Sequence, residues 1–361
     1  MAQKVYYPTK DSTIYSDYND MTSGGDPVLD LNVQPSSVFP SGSSISRILI
    51  SFDSASIIND IMNISGSFQL MFSLYNCDAA NLPEGLYVEI HPVYQTWTEG
   101  VGYYDTENYS TNGVTWLYAQ NGVYWITSGY PSGVTGSYIS SNPGGGCWYT
   151  ASVTCSLSNS ADIDVDITPF FFLTGITSYD GFIIKLPDFF ERNNNLNMVL
   201  NYFSRNSNTI YYPRLNILWN DSVYYTGSLS GLDEDFYLSF VHKQYYTTDE
   251  VAKIRVYARN KYPKPNYTNT NLYTSYSALP STSYFGVVDV YTGVEFIQPY
   301  TQYNILSCDS ISNYFYMSMS NFIPGRYYNF FVKVFISGSV QTIYDTNPFK
   351  VVEDKKIVNY A

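Results

Sequence analysis

Apolar and polar positions along this chain alternate with a period of two far more often than they recur at the helical i, i+3, i+4, i+7 spacing. The alternation is clearest from Asp162 to Ile167. There Ile163, Val165 and Ile167 fall on one face and three aspartates on the other. Short runs rich in Val, Ile, Phe, Tyr and Thr, bounded by Gly, Pro, Asn, Asp and Ser, predict further strands. They cover Ser46–Phe52, Ser67–Tyr75, Leu86–Tyr94, Phe182–Leu186 and Arg214–Trp219. One segment, Ile57–Met62, predicts a helical turn with Ile57, Ile58 and Ile61 on a shared face.

The pattern breaks near residues 220–235. Asn220-Asp221-Ser222 ends the first block, and Gly227–Gly231 has the composition of a linker. Strands resume at Phe236–Val241 and Val251–Arg259, then at Tyr327–Ile336, where Gly338 marks a hairpin into Val340–Tyr344. The chain is therefore expected to be all-β, with one domain over residues 1–222 and an immunoglobulin-like β-sandwich over 223–361. Residues 98–150 stand apart. They are dense in Gly, Tyr, Ser, Asn and Trp, and a loop of that length in a compact domain is expected to be functional or an interface element.

Composition narrows the function. The chain has 39 tyrosines but only 18 lysines and arginines against 31 acids, a formal charge of −13. Charged residues make up 14 % and aromatics 18 %, against roughly 25 % charged in an ordinary domain. Such a chain can bury a large core and is not disordered. Its acidity excludes free binding to nucleic acid, which needs cations to neutralise phosphates, but suits a surface that DNA must slide past. The N-terminus carries no apolar signal region, and no apolar run is long enough to cross a membrane. The four cysteines are too few and too scattered for a disulfide framework. Cys147 and Cys155 could bridge a hairpin, though reduced thiols are the favoured reading.

The inventory for catalysis is poor, and no enzyme activity is expected. The two histidines, His91 and His242, sit on predicted strands as structural polar residues, and no nucleophile, zinc or phosphate-loop motif accompanies them. Among Asp53, Glu99, Asp105 and Glu107, nothing in the spacing sets two carboxylates across a cleft. Asp162, Asp164 and Asp166 are about 7 Å apart in steps along a strand, too far for all three to ligate one calcium ion. Trp125 and Trp148, in the long 98–150 stretch, are the candidates for stacking on a sugar ring, while Trp97 and Trp116 are expected to pack in the sandwich.

Several ordered segments resemble one family. Asp11-Ser12-Thr13-Ile14-Tyr15 is similar to its opening strand, and Gly24-Gly25 with Leu29-Asp30-Leu31-Asn32 to its glycine turn and second strand. Arg47-Ile48-Leu49-Ile50-Ser51-Phe52-Asp53 resembles its most specific motif. Trp97-Thr98-Glu99 and Gly113-Val114-Thr115-Trp116 resemble its paired tryptophan motifs, and Tyr212-Pro213-Arg214-Leu215 its closing strand. The family is the DNRLRE-type domain. The resemblance implies an N-terminal jelly-roll β-sandwich, with Arg47 and Arg214 holding strand ends through two-pronged pairs and Asp53 as a partner. It also implies a structural calcium near the N-terminal strands, with Asp11 and Asp53 as its ligands.

The whole chain, rich in Tyr and Asn and poor in Lys and Arg, is similar to structural proteins of crAss-like tailed bacteriophages. That resemblance implies a virion protein made in the host cytoplasm, a subunit of a neck or tail ring. Its partners would be copies of itself and portal, neck or tail proteins, with no membrane and no direct nucleic-acid binding, though with a surface that could line a DNA channel. The alternative is a carbohydrate-binding head or tail fibre, or an adhesin, recognising a host surface glycan.

Overall fold

The computed structural model describes residues 3–353 apart from 37, 39–41, 108–109, 138–142, 173–179, 263–275 and 300–301. Antiparallel strands make up nearly all of its regular structure, so the all-β sandwich expected from the alternating pattern is what the chain forms. Two compact units separate. The first comprises Tyr6–Asn63 and Gln69–Asn216; the second runs from Ile217 onward and takes in Ile64–Phe68 and the N-terminal residues through Val5.

In the first unit one sheet runs in the order Val153–Ser156, Tyr87–Pro92, Phe182–Lys185, Ser43–Ser51, Lys10–Tyr15, all antiparallel. The Arg47-led segment and the buried Phe182 run are thus neighbours, as their continuous apolar stretches suggest for central strands. Phe68–Leu74 pairs with Ile163–Asp166, and Val199–Phe203 lies between Val28–Asp30 and Asn76–Ala80. Rings from both layers meet in the core. Phe72 lies 6.2 Å from Phe182 and 6.1 Å from Phe52, and Phe170 stacks on Phe182 at 5.8 Å. Each such buried ring contributes about 2–3 kcal/mol.

The alternation at Asp162–Ile167 holds for Asp162, Ile163, Asp164 and Ile167, while Val165 and Asp166 are both half-buried. The expected helical turn is present but starts earlier, at Ser54, because the Asp53 carboxylate caps the helix by accepting from the Ser56 N–H. The 98–150 stretch folds back as two short hairpins, Tyr118–Gln120 with Val123–Tyr124 and Val134–Gly136 with Cys147–Tyr149. Trp116, Trp125 and Trp148 from this stretch are buried, because indole surface is too large to leave in water where a core can take it.

The second unit has two sheets. One runs Phe236–Val241, Val251–Asn260, Asn313–Ser318, Ser307–Cys308. The other runs Tyr245–Thr247, Phe349–Val352, Tyr327–Ile336, Tyr284–Asp289, Glu295–Ile297, with Ser339–Tyr344 also pairing to Tyr327–Ile336. Phe315 of the first sheet stacks on Phe285 of the second at 4.2 Å and meets Phe330 at 5.4 Å, so the two sheets share one aromatic core. The Tyr328 hydroxyl turns back onto the main chain of Ile323, accepting from its N–H at 3.2 Å and reaching its carbonyl at 3.3 Å. That is the local geometry of a tyrosine corner. The hairpin at Gly338 forms as expected, with Ser337 and Gly338 both at positive φ, 49° and 78°, the turn that matches strand twist. The expected linker does not hang free. Ser230 within it bridges Ser277, because main-chain groups there find partners in one another.

Candidate functional site

The most tightly built polar cluster centres on Arg47, which is fully buried at 0 % exposure. Its Nε donates to Glu191 Oε1 at 3.0 Å and its Nη2 to Glu191 Oε2 at 2.7 Å, while Nη1 donates to the Gly145 carbonyl at 2.6 Å. The Trp116 and Trp148 rings lie 4.9 and 5.2 Å from the guanidinium carbon. Each of the arginine's three nitrogens donates to a protein oxygen and the side chain is fully buried, so the cluster is a structural joint. The partner is Glu191, at the end of the short Asp188–Glu191 helix, and not the expected Asp53. Asp53 is exposed, and both of its carboxylate oxygens accept from Ser56. The other expected strand-end arginine, Arg214, lies 5.2 Å from the ring of Tyr75.

The expected sugar platform is not on the surface. Trp125 is 2 % exposed and donates its indole N–H to the Thr115 carbonyl at 3.0 Å; Trp148 is 5 % exposed and packs on Arg47. Trp97 and Trp116 are buried as expected. The four cysteines are free thiols, so Cys147 and Cys155 do not pair. Cys155 lies on the strand paired with Tyr87–Pro92, whereas Cys147 lies on a hairpin of its own.

The expected calcium ligands do not fit an ion. Asp11 is buried, and its Oδ2 accepts from the Arg205 main-chain N–H at 2.7 Å. Its own N–H donates to Glu99 Oε1 at 2.8 Å, and Arg205 Nη2 donates to Glu99 Oε2 at 3.0 Å. Burial pushes the Asp11 carboxyl up to about 7, with the Arg205 N–H opposing and the Glu99 charge reinforcing. The Arg205 N–H occupies Asp11 Oδ2, N–H donors occupy both Glu99 oxygens, and Asp53 is engaged as a helix cap, while Asp11 Oδ1 is buried and accepts no hydrogen bond among the described residues. Among the described residues, no group of three or more His, Cys, Asp or Glu is arranged to hold a metal ion.

Both histidines are held as structural residues. His91 Nδ1 lies 3.1 Å from the Tyr149 carbonyl and 3.0 Å from that of Ala151. His242 Nε2 lies 2.6 Å from Asp345 Oδ2, and its Nδ1 2.6 Å from the Lys243 carbonyl. Burial opposes charging His242, but the Asp345 carboxylate and the Lys243 carbonyl outweigh it, and its pKa is raised.

A polar and aromatic surface is formed by the outward face of the Phe236–Val241 and Val251–Asn260 strands. Strand alternation puts Ala252, Ile254, Val256 and Ala258 in the core and leaves Lys253, Arg255, Tyr257 and Arg259 facing out. Register then sets Tyr237 opposite Arg259 and Ser239 opposite Tyr257. Arg255 is tied to Asp309 through bonds of 3.1 and 2.9 Å, and Lys253 lies 3.7 Å from the Tyr314 ring centre. The candidates chosen from sequence missed this face. Its signal was legible, because Arg255, Tyr257 and Arg259 occur at alternate positions of a predicted strand.

No helix among the described residues is long and apolar enough to cross a membrane. No protein-family model matches the chain, and no curated protein matches it. Among solved structures, the crystal structure of a DUF4785 family protein from Legionella pneumophila is similar over 81 % of this chain at 11 % identity, with a TM-score of 0.17. The match covers 66 % of that structure's length.

Proposed function

We propose that the protein is a virion structural subunit of a tailed bacteriophage, one copy of a neck or tail ring held together by protein–protein contacts. The observation that carries this reading is the number of large aromatic side chains left in solvent. On the first unit Phe189 is 76 % exposed, with Phe172, Tyr103 and Tyr124 also exposed. On the second unit Tyr291 is 70 % exposed, with Tyr225 and Tyr245 alongside it in this class. Aromatics bury a large area while losing little side-chain entropy, which is why interfaces are enriched in them. The low lysine content supports the same reading, since lysine is depleted at interfaces. The net charge of −13 suits a ring past which DNA travels without sticking.

The alternative of a glycan-binding fibre loses its original basis, because Trp125 and Trp148 are buried. Native mass spectrometry of the purified chain and imaging of virions test the ring reading. The expected result is a closed homo-oligomer present in particles. A strict monomer absent from virions sinks it.

A further inference from the structure

We infer that the second unit carries a binding site for a carboxylated saccharide, in the cleft on the outward face of its four-stranded sheet. This goes beyond the ring role and rests on different residues. The cleft is about 710 Å³, lined by Tyr237, Ser239, Val241, Tyr257, Arg259 and Tyr276. That volume is the size of a small-ligand site.

Three observations set the chemistry. First, the walls are aromatic and open: Tyr237 is 50 % exposed, and the Tyr257 and Tyr276 rings, which meet at 4.6 Å with a 51° tilt, both line the cleft. A pyranose presents a face of C–H bonds, which packs on the negative face of an aromatic ring, and a rim of hydroxyls. The tyrosine and Ser239 hydroxyls meet that rim as donors or acceptors.

Second, Arg259 differs from five of the chain's other six arginines. Arg47, Arg192, Arg205, Arg255 and Arg326 each pair with a carboxylate. Arg259 instead lies over the Tyr237 ring at 5.4 Å, and among the described residues it forms no ion pair. In a chain with 31 acids to 18 bases, a guanidinium held by a ring and left without a carboxylate is open to a ligand's carboxylate. It can take it in the two-pronged geometry that the guanidinium fork favours. Third, Lys261 lies 6.0 Å from the same Tyr237 ring, a second cation beside the cleft. An acidic peptide would share the carboxylate, but it would dock by main-chain pairing to Phe236–Val241, the end strand of its sheet among the described residues. The cleft lies on the sheet face and offers rings instead.

The test uses the full chain on an array that holds uronate- and sialate-bearing saccharides, their neutral or methyl-esterified counterparts, and an Asp/Glu-rich peptide. The carboxylated saccharides are expected to bind and the neutral counterparts not. Arg259→Gln and Tyr237→Ala are each expected to weaken binding about tenfold or more. Arg192→Gln, a change to an exposed arginine of the other unit, is expected to leave it unchanged. Both cleft residues are solvent-facing, so the variants should melt with the wild type, which a thermal scan checks. Binding of no carboxylated saccharide overturns the proposal. So does equal binding of the methyl esters, binding of the acidic peptide alone, or wild-type binding by folded Arg259→Gln and Tyr237→Ala variants.

Discussion

Arg47 and Glu191 are 144 residues apart in the chain, yet they meet in a two-pronged pair at 3.0 and 2.7 Å. The pair is almost fully buried, with side-chain exposures of 0 % and 1 %. Removing one member strands the other charge in a medium that cannot solvate it. Glu191→Gln or Arg47→Met is therefore expected to cost about 3–5 kcal/mol, read as a lower urea midpoint. Replacing both residues together with apolar side chains should recover much of that loss. A double variant no better than the worse single one would show that the pair does not act as a unit.

Gly145 supplies the carbonyl that holds the third prong of Arg47. It sits at φ +75°, and an added Cβ would lie 2.6 Å from the Trp116 ring and 2.8 Å from Arg47 Nη1. Gly145→Ala meets both a left-handed backbone and two neighbours locked in a buried cluster. The expected loss is about 1–3 kcal/mol, with a lower melting temperature and altered tryptophan fluorescence.

The buried indoles make a prediction opposite to a sugar-binding role. Trp125→Ala and Trp148→Ala each remove a ring from a packed interior and should destabilise the first unit by about 3–5 kcal/mol. Thermal or urea unfolding reads this directly. Loss of saccharide binding at unchanged stability would instead restore these residues to a surface role.

Asp11 makes the first unit's stability depend on pH. Its folded pKa, about 7, lies above the ordinary 3.8 because burial disfavours the charge. Between those values the folded state holds a proton that the unfolded state has released, so stability falls as pH rises through the window. It is flat below about 4 and above about 7 for this group. Three units correspond to on the order of 4 kcal/mol. Asp11→Asn keeps an oxygen for the Arg205 N–H and removes the charge, so it should raise the melting temperature at pH 8 and flatten the profile. A wild-type slope in that variant would assign the dependence elsewhere.

His242 predicts a second decline, in the other unit and at higher pH. Its pKa is raised above 6.5 because the Asp345 carboxylate and the Lys243 carbonyl both accept from the ring, which outweighs burial. The stability from charging it is fully present below about 6.5 and is lost as pH rises through the folded pKa. Asp345→Asn should lower the His242 titration midpoint by NMR and reduce the decline. An unchanged midpoint would mean that the carboxylate does not hold the proton there.

The strands were legible because their cause is local. Burial on one face of a strand imposes alternation on adjacent residues, so Ile163 and Ile167 were assigned to the core from spacing alone. The helix start was less legible. Asp53 reads as a strand-end acid in the motif that contains it, and only the path of the chain turns it into a cap. The tryptophans show the same limit. Trp125 and Trp148 lie in a segment whose composition resembles a surface loop, and composition carries no information about what lies underneath.

Period-two patterning, aromatic excess and the glycine and proline punctuation were therefore enough to establish an all-β sandwich with a large core and an acidic, tyrosine-rich surface. Partnerships needed the fold. Glu191 was chosen for Arg47 and Asp345 for His242 by contacts between elements far apart in sequence, and a ring instead of a carboxylate for Arg259 by the register of two paired strands. The physical reason is range. Side-chain alternation is set by neighbours within a few residues, whereas a buried charge selects whichever distant group the packing brings within about 3 Å.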